Sequence, residues 1–250
     1  MGKLLADGHL ACCISAFNAL GGADKVAAVD NAALEEALLA GAQTLGLPVD
    51  PASARRLIHF MGELLRWNAQ VNLVGRRSSP MEVMERHLLD SIAALPDLSD
   101  AGTLIDIGAG AGLPGIPLKL TRPALDVTLV EATSKKAAFM RHAIASLHLG
   151  SGIRVRQARA RGAPLEEQLP RAEVAISRAV APLLEWLPLG LRYIGSGGRA
   201  IAMLARADDA QVHQAARQAG AVVQSIRRYE LPFSGAHRTL AVFRSVADVD

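Results

Sequence analysis

Apolar positions recur with two different periods along the chain. Between Asn31 and about Leu95 they repeat every three to four residues, which is typical of amphipathic helices. From Thr103 onward, short apolar runs alternate with amphipathic stretches, which is typical of strands that alternate with helices. Such an alternation favours a mainly parallel sheet with helices on both faces.

The pattern predicts helices before the sheet and between its strands. The early helices start at Asn31, after Asp50-Pro51, and after Ser79-Pro80, which reads as a cap followed by a first-turn proline. Later helices are predicted at 134–149, 182–193 and 208–219. The first strand ends at a glycine-rich turn, and the other predicted strands are Asp126–Val130, Ile153–Ala158, Glu173–Ser177, Gly198–Leu204, Val222–Tyr229 and His237–Arg244. The last two are expected to pair antiparallel, because only a short connection separates them.

Three regions follow from these periods. Residues 1–30 fit no periodic template and are left unassigned, with a disordered extension, a local helix or an upstream start as the alternatives. Residues 31–98 are predicted to form an N-terminal helical segment that packs on the core. Residues 99–250 are predicted to form the sheet domain.

Composition and charge restrict the kinds of partner, metal site and cellular compartment that are expected. The net charge of +3 and the pI near 9.1 suit a polyanionic partner, although 27 basic against 24 acidic residues is a mild excess. The two cysteines, Cys12 and Cys13, are adjacent and outside the sheet domain, which excludes a disulfide framework and suits a reducing cytosol. His142 and His148 stand alone, so we expect no metal site. Membrane-spanning runs are lacking and polar residues interrupt the first apolar run, so a cytoplasmic protein is predicted.

The stretch Leu104–Leu118 carries the strongest chemical signal. Its glycines match a dinucleotide-binding pattern, Gly110-x-Gly112-x-x-Gly115, which alone is a weak match. The register Asp106-x-Gly108-x-Gly110-x-Gly112 is stronger. Its carboxylate would repel a pyrophosphate but suits the cationic amino-acid end of S-adenosylmethionine. A purely structural glycine turn is the alternative.

Further candidates stand at the ends of the following strands. Glu131 closes the next predicted strand, where an acid can hydrogen-bond ribose hydroxyls. Ala160 follows the third strand, and Ser177-Arg178 ends the fourth. Since ligands of parallel sheets bind at the carboxyl ends of the strands, these residues and Asp106 are expected to converge.

These strings resemble a known family. Asp106–Leu118, with Arg86-His87-Leu88-Leu89-Asp90-Ser91 before it and Ile176-Ser177-Arg178-Ala179 after it, is similar to the glucose-inhibited division protein B family, the ribosomal RNA small-subunit methyltransferases of the G type. The resemblance covers about residues 50–245. It implies a Rossmann-like class I S-adenosylmethionine-dependent methyltransferase fold, with a mainly parallel seven-stranded sheet, helices on both faces and an N-terminal helical extension.

The same resemblance implies an activity and a site. The activity is methylation of guanine N7 in 16S ribosomal RNA, free or within the small subunit, by a cytoplasmic monomer. The implied cofactor-binding residues are Asp106, Gly108, Gly110, Leu113, Glu131, Ala160, Arg161 and Arg178. Arg161 departs from the glutamate that the family commonly has, and Leu204-Ala205 replaces a Lys-Gly pair. At residue 161 the resemblance therefore implies a backbone contact and no carboxylate contact. The role of the family's lysine is either lost here or taken by Arg206.

The residue inventory narrows the methyl acceptor. Pyrimidine C5 methylation needs a cysteine nucleophile, and the sheet domain has none. Methylation of exocyclic amines commonly uses an Asn/Asp-Pro-Pro-aromatic turn, whereas this chain has Ser177-Arg178-Ala179-Val180. Guanine N7 carries no proton, so orientation and electrostatics suffice there. A small-molecule methyltransferase and a nicotinamide-dependent oxidoreductase remain as alternatives.

Several polar residues have two interpretations. Arg178 is expected to orient the reaction by holding the cofactor's carboxylate or an RNA phosphate, with a purely structural role as the alternative. Arg86 and Asp90 are four residues apart and can pair. The family resemblance implies that their helix covers the glycine turn, with a surface ion pair beside a core histidine as the alternative. For RNA contact, the candidates are Arg76, Arg77, Lys135 and Lys136, whereas Trp67 is expected to be structural.

Overall fold

The computed structural model describes residues 30–75, 78–98, 100–178 and 181–246. The candidate arginines Arg76 and Arg77, the two cysteines, and Ala179-Val180 lie outside the described residues. The helices are α1 (Asn31–Thr44), α2 (Pro51–Asn68), α3 (Pro80–Val83, continued by a π-helical stretch Met84–Leu89 and by Asp90–Ile92), α4 (Gly115–Thr121), α5 (Ser134–Ser146), α6 (Leu183–Leu191) and α7 (Asp209–Ala219). None of the helices in this part of the chain is long and apolar enough to cross a membrane.

Seven strands form one sheet in the order β3-β2-β1-β4-β5-β7-β6. Their bounds are β1 (Thr103–Ile107), β2 (Asp126–Val130), β3 (Ile153–Arg156), β4 (Ala172–Arg178), β5 (Ile194–Leu204), β6 (Ala221–Glu230) and β7 (His237–Ser245). The first five strands pair in parallel, and β7 pairs antiparallel with both β5 and β6. This confirms the predicted class I methyltransferase fold and the predicted antiparallel pair.

Alternation along β5 shows how the sheet acquires two covered faces. Ile201 and Met203 lie in the core cluster shared with α1 to α5, whereas Ala200 and Ala202 lie in the cluster formed with α6 and α7. The period of two residues in a strand produces this division. β5 begins at Ile194, earlier than the predicted Gly198, because a register irregularity against β4 lets the chain join the sheet sooner.

The N-terminal helices pack on the face that also carries α4 and α5. Trp67 at the end of α2 lies with its ring centre 5.7 Å from that of Phe139 and 5.1 Å from that of His142, both on α5. Its indole is therefore a packing element between two helices, in line with the structural role expected from the sequence.

Asp90 of α3 joins the helical segment to the sheet. Its buried carboxylate accepts hydrogen bonds from the Tyr229 hydroxyl at 2.9 Å and from Arg178 at 3.3 Å, and its Oδ1 lies 3.2 Å from Arg238 Nε. The Arg86–Asp90 pair that the helical spacing permits is not formed, because the Arg86 side chain is exposed and lies 4.0 Å from Glu82 on the preceding turn. The contacts of the Asp90 carboxylate are thus made by side chains of β4, β6 and β7.

A second link, between α2 and α5, is built on the buried Glu63. Its carboxylate contacts His142 Nε2 at 2.9 Å, the Ser146 hydroxyl at 2.9 Å, and Arg66. Burial alone would raise the pKa of Glu63, but the hydrogen bonds from His142 and Ser146 and the charge of Arg66 together hold it below its ordinary value of 4.5.

We expect Glu63→Gln to lower the free energy of unfolding by about 1–3 kcal/mol at neutral pH, since a buried hydrogen-bonded charge is lost. Because the folded-state pKa is depressed, the contribution is complete above the unfolded value and disappears as pH falls through the folded one. Urea unfolding followed by circular dichroism at several pH values measures this difference. Glu36→Gln, at an exposed position of α1, is the control. A stability difference that does not shrink below about pH 4 would contradict the prediction.

Candidate active site

The turn between β1 and α4 forms one wall of a cavity at the carboxyl ends of the strands. Gly108, Gly110 and Gly112 have φ values of 77°, 57° and 77°, in the left-handed region that favours glycine. The turn is tied to the neighbouring strand, because the N–H groups of Gly108 and Ala109 both donate to the Val130 carbonyl, at 2.9 and 3.0 Å. Because Gly108 and Gly110 have no side chains, the turn exposes its backbone to the cavity.

Asp106 lies beneath this turn and is fully buried. Its Oδ2 accepts a hydrogen bond from Gly115 N at 2.9 Å, whereas Oδ1 has no hydrogen-bond partner among the described residues. Burial raises the pKa of Asp106 to about 7, with the Gly115 hydrogen bond and Arg178 opposing the shift. The side chain does not line the cavity, which differs from the direct contact expected from the sequence. The Asp106 side chain instead stabilises the turn through its hydrogen bond from Gly115 N.

Glu131 follows β2 and forms the facing wall. Its carboxylate is buried and accepts hydrogen bonds from Gly110 N at 3.0 Å and from Thr133 N at 2.7 Å. Each carboxylate oxygen has a second lone pair, so the group retains acceptor capacity on the cavity side. Glu131 thereby connects the glycine turn with the start of α5.

The cavity has a volume of about 580 Å³ and collects residues from six segments. Its lining combines the N-terminal helical segment, the glycine turn, the segments after β2 and β3, the end of β4, and α6: Leu73, Val74, His87, Ile107, Gly108, Ala109, Gly110, Ala111, Leu113, Val130, Glu131, Ala132, Thr133, Lys136, Ala158, Arg159, Ala160, Arg178 and Leu189. Of the residues expected to converge at the strand ends, Glu131, Ala160 and Arg178 line the cavity, together with Gly108, Gly110 and Leu113, whereas Asp106 and Ser177 do not line it.

Arg161 does not line the cavity. Its side chain is exposed, and its backbone N–H donates to Glu167 Oε1 at 2.9 Å and to the Tyr193 hydroxyl at 3.1 Å. The backbone N–H of residue 161 is thus occupied by Glu167 of the same loop and by Tyr193, which lies directly before β5, and is not free to bind a ligand. Ala160 remains the lining residue of the predicted pair.

Arg178 lies at the end of β4 and is held by the N-terminal segment. Its Nη1 donates to the Arg86 carbonyl at 2.8 Å and to Asp90 Oδ2 at 3.3 Å, and its Nη2 lies 3.1 Å from His87 Nδ1. The structural alternative weighed for Arg178, satisfaction of a carbonyl at a strand end, is therefore part of its role. The residue also lines the cavity, so its side chain is placed where the predicted orienting role would need it.

His87 and Arg159 are lining residues with ionisable side chains that were not predicted as site residues. His87 was assigned only to the covering helix, and Arg159 only to the loop after the third strand. Arg159 is exposed and, with Lys136, adds positive charge beside Arg178. The sequence signal for Arg159 was its position directly after a predicted strand, whereas no local signal marked His87, which lies within α3 before the first strand.

The site fits an adenosyl cofactor with a cationic amino-acid end. The glycine turn leaves space that a Cβ would fill, Glu131 offers carboxylate acceptors on the opposite wall, and the buried Asp106 oxygen without a partner supplies negative potential below the turn. Within the described ranges, no group of three or more histidine, cysteine, aspartate or glutamate residues has the arrangement of a metal site.

Comparisons with known proteins agree with this geometry. A model of the GidB family, described as rRNA small subunit methyltransferase G, matches residues 53–241. The chain is 50% identical over 216 residues to the "Ribosomal RNA small subunit methyltransferase G" of Myxococcus xanthus, covering 86% of this chain and 99% of that one. It is 43% identical to the protein of the same name from Anaeromyxobacter sp., covering 85% and 98%. The solved structure of TrmN from Thermus thermophilus, 18% identical, superposes with a TM-score of 0.50 over 65% of this chain and 53% of that chain, and shares the fold.

Proposed function

The chain belongs to the GidB family of rRNA small subunit methyltransferases G, and from that premise we propose that it methylates N7 of a guanine in 16S ribosomal RNA with S-adenosylmethionine. The observation that carries this proposal is the cavity itself. It brings the glycine turn, Glu131 and Arg178 together at the carboxyl ends of β1, β2 and β4. The enzyme acts in the cytoplasm, where the small subunit is assembled, and as a monomer.

Each wall of the cavity has a task in this reaction. Bound S-adenosylmethionine supplies a methyl group on a sulfonium, whose transfer to a nitrogen lone pair releases the neutral thioether and requires no proton removal. Glu131 holds the ribose hydroxyls, and Gly108, Gly110 and Leu113 receive the cofactor against the turn. Ala160 borders the base. Arg178 holds the cofactor's carboxylate or an RNA phosphate beside the acceptor.

An RNA acceptor is favoured over a small molecule by the charges around the cavity. Lys136 and Arg159 line it, and Lys135, Arg156 and Arg161 are exposed on the adjoining segments. Among the residues that the structure describes, none of these five side chains forms an ion pair with a carboxylate, and Arg161 contacts Glu167 only through its backbone N–H. Unneutralised cations beside a cavity suit phosphate contacts that position a nucleic acid.

The proposal is tested by incubating the purified protein with 16S RNA and with assembled small subunits lacking the modification. Nucleosides from the RNA are then analysed by mass spectrometry. We expect N7-methylguanosine in one of the two substrates and only in the presence of S-adenosylmethionine. A different methylated nucleoside would refute the N7 assignment, and the absence of any methylation would refute the function.

We expect Glu131→Ala to weaken S-adenosylmethionine binding by about 1–3 kcal/mol, since a charged acceptor is removed and Gly110 loses its anchor. Isothermal titration calorimetry measures the affinity. Glu173→Ala is the matched control, because that carboxylate also accepts backbone N–H groups, from Gly102 and Thr103, at the opposite edge of the sheet. Equal cofactor affinity of Glu131→Ala and wild type would refute the assignment.

We expect Arg178→Lys to retain the fold and to lower N7-methylguanosine formation at least about tenfold, since an ammonium cannot reproduce the planar fork of donors. The readout is the modification level in RNA from a strain that carries only the variant. Arg238→Lys separates structure from function, because Arg238 contacts the same Asp90 but does not line the cavity. Wild-type methylation by Arg178→Lys at normal abundance would exclude a functional role.

A further inference from the structure

His87 is the lining residue whose chemistry the reaction has not yet used. Its Nδ1 lies 3.1 Å from Arg178 Nη2. A guanidinium has only donors, so Nδ1 must accept this hydrogen bond through its lone pair. The ring proton is consequently on Nε2 whenever the imidazole is neutral.

The surroundings of the ring keep it neutral. Burial and the charges of Arg178, Arg86 and Arg238 lower the pKa of His87 to about 3. The carboxylate of Asp90 is turned to Arg178, Arg238 and Tyr229, and so does not compensate these arginines at the ring. At neutral pH, His87 is thus a donor at Nε2 and an acceptor at Nδ1.

The position of the ring is fixed as well as its tautomer. His87 is in the π-helical stretch of α3, and π-helical turns are frequently found at functional sites. Both Arg178 and the helix around Asp90 are fastened to the sheet. Within the described part of the chain, Nε2 has no hydrogen-bond partner, and the residue borders the cavity next to Arg178.

We propose that the Nε2–H group of His87 donates a hydrogen bond to O6 of the target guanine and so selects guanine and directs its N7 toward the methyl group. The inference rests on the proposed function. On the Hoogsteen edge, guanine presents the acceptors N7 and O6 side by side, whereas adenine presents N7 and a donor amine. A donor with a fixed tautomer therefore binds guanine and leaves an unpaired donor against adenine.

The neutrality of the donor matters for the chemistry. Transfer to N7 leaves a positive charge on the purine, and a lysine or arginine at O6 would oppose that charge as it develops. A neutral N–H stabilises O6 without that repulsion. Arg178, by contrast, uses its Nη1 donors on Asp90 and the Arg86 carbonyl and one Nη2 donor on His87, and its remaining N–H groups are left for a carboxylate or a phosphate.

The test combines a change in the enzyme with a change in the target base and asks whether the two effects on kcat/KM are additive. Small-subunit RNA is prepared with 2-aminopurine, which lacks O6 but keeps N7, at the target guanine. We expect the wild type to lose at least about tenfold in kcat/KM on this change. In His87→Ala, whose activity on guanine is already lowered, the same change should cost less than about threefold. His213→Ala, at an exposed position of α7, should keep the full wild-type loss.

A second measurement examines the tautomer without catalysis. In protein labelled with ¹⁵N histidine, the His87 signals, identified by their absence in His87→Gln, should show a protonated Nε2 and an unprotonated Nδ1 that do not change between pH 8 and 5. A proton on Nδ1, or a charged ring at pH 7, would overturn the proposal.

An equal loss from O6 removal in wild type and His87→Ala would also overturn it while leaving the proposed function intact. Failure of the wild type to methylate either RNA would refute the proposed function and, with it, the role of His87.

Discussion

Gly110→Ala is expected to bind S-adenosylmethionine about a hundredfold more weakly, a loss of about 3 kcal/mol. A Cβ at this position has only Gly108 O near it, at 3.9 Å, so the protein itself leaves the space open. That space belongs to the cavity, because Gly110 lines it. The added methyl group should therefore displace the cofactor from the turn rather than disturb the core.

The cost in stability is predictable separately. Residue 110 has φ 57°, so alanine there should lower the free energy of unfolding by about 1–2 kcal/mol. Gly220→Ala is a matched control, since Gly220 ends α7 with φ 65° and also has open space around its Cβ position. Both variants should lose similar stability by urea unfolding, and only Gly110→Ala should lose cofactor affinity by calorimetry. Equal affinities would show that the turn does not contact the cofactor.

The N-terminal helical segment contributes to the site as well as to stability. Leu73, Val74 and His87 line the cavity, and Asp90 and Glu85 fasten the segment to the strands that close the sheet. Glu85 accepts two backbone hydrogen bonds, from Phe233 and Ser234 in the connection between β6 and β7. The sheet alone would therefore leave one wall of the cavity unbuilt.

The parts of the site that sequence could predict are those fixed by local rules. A strand that ends in glycines forms a turn, and parallel strands bring their carboxyl ends to one edge, so Gly110, Glu131 and Arg178 could be expected to converge. The fold followed from the same alternation of strand and helix periods. These rules need only the order of the elements and the period of their apolar residues.

The remaining features depend on contacts between distant segments. Arg178 meets His87 across 91 positions of the chain, and no spacing within α3 reveals this partner. The Arg86–Asp90 pair is absent for the same reason, since a helical spacing of four permits a pair but the Asp90 carboxylate contacts residues of the sheet instead. Asp106 was expected on the cavity surface, but the close approach of α4 to β1 turned its carboxylate toward Gly115 N.

Asp106→Asn should change stability and cofactor binding in opposite directions as pH rises. The wild-type carboxyl has a folded pKa raised from 3.8 to about 7, because its charge is buried. Folding therefore binds a proton between these values, and wild-type stability should fall with rising pH through this window and level off above it. Relative to wild type, the asparagine variant should gain on the order of 2 kcal/mol between pH 5 and pH 8, measured by urea unfolding without cofactor.

The affinity for S-adenosylmethionine should change with pH in the opposite direction to the stability. A cationic ligand above the turn favours the ionised carboxylate, so wild-type affinity for S-adenosylmethionine should rise as pH increases through about 7 relative to the variant. The ligand's own ammonium titrates identically in both titrations, so the difference between wild type and Asp106→Asn isolates the carboxylate. At pH 8 we expect the variant to bind at least about tenfold more weakly, a difference of about 1.4 kcal/mol. Parallel pH profiles for the two proteins by calorimetry would mean that Asp106 acts only through its hydrogen bond to Gly115, which asparagine retains.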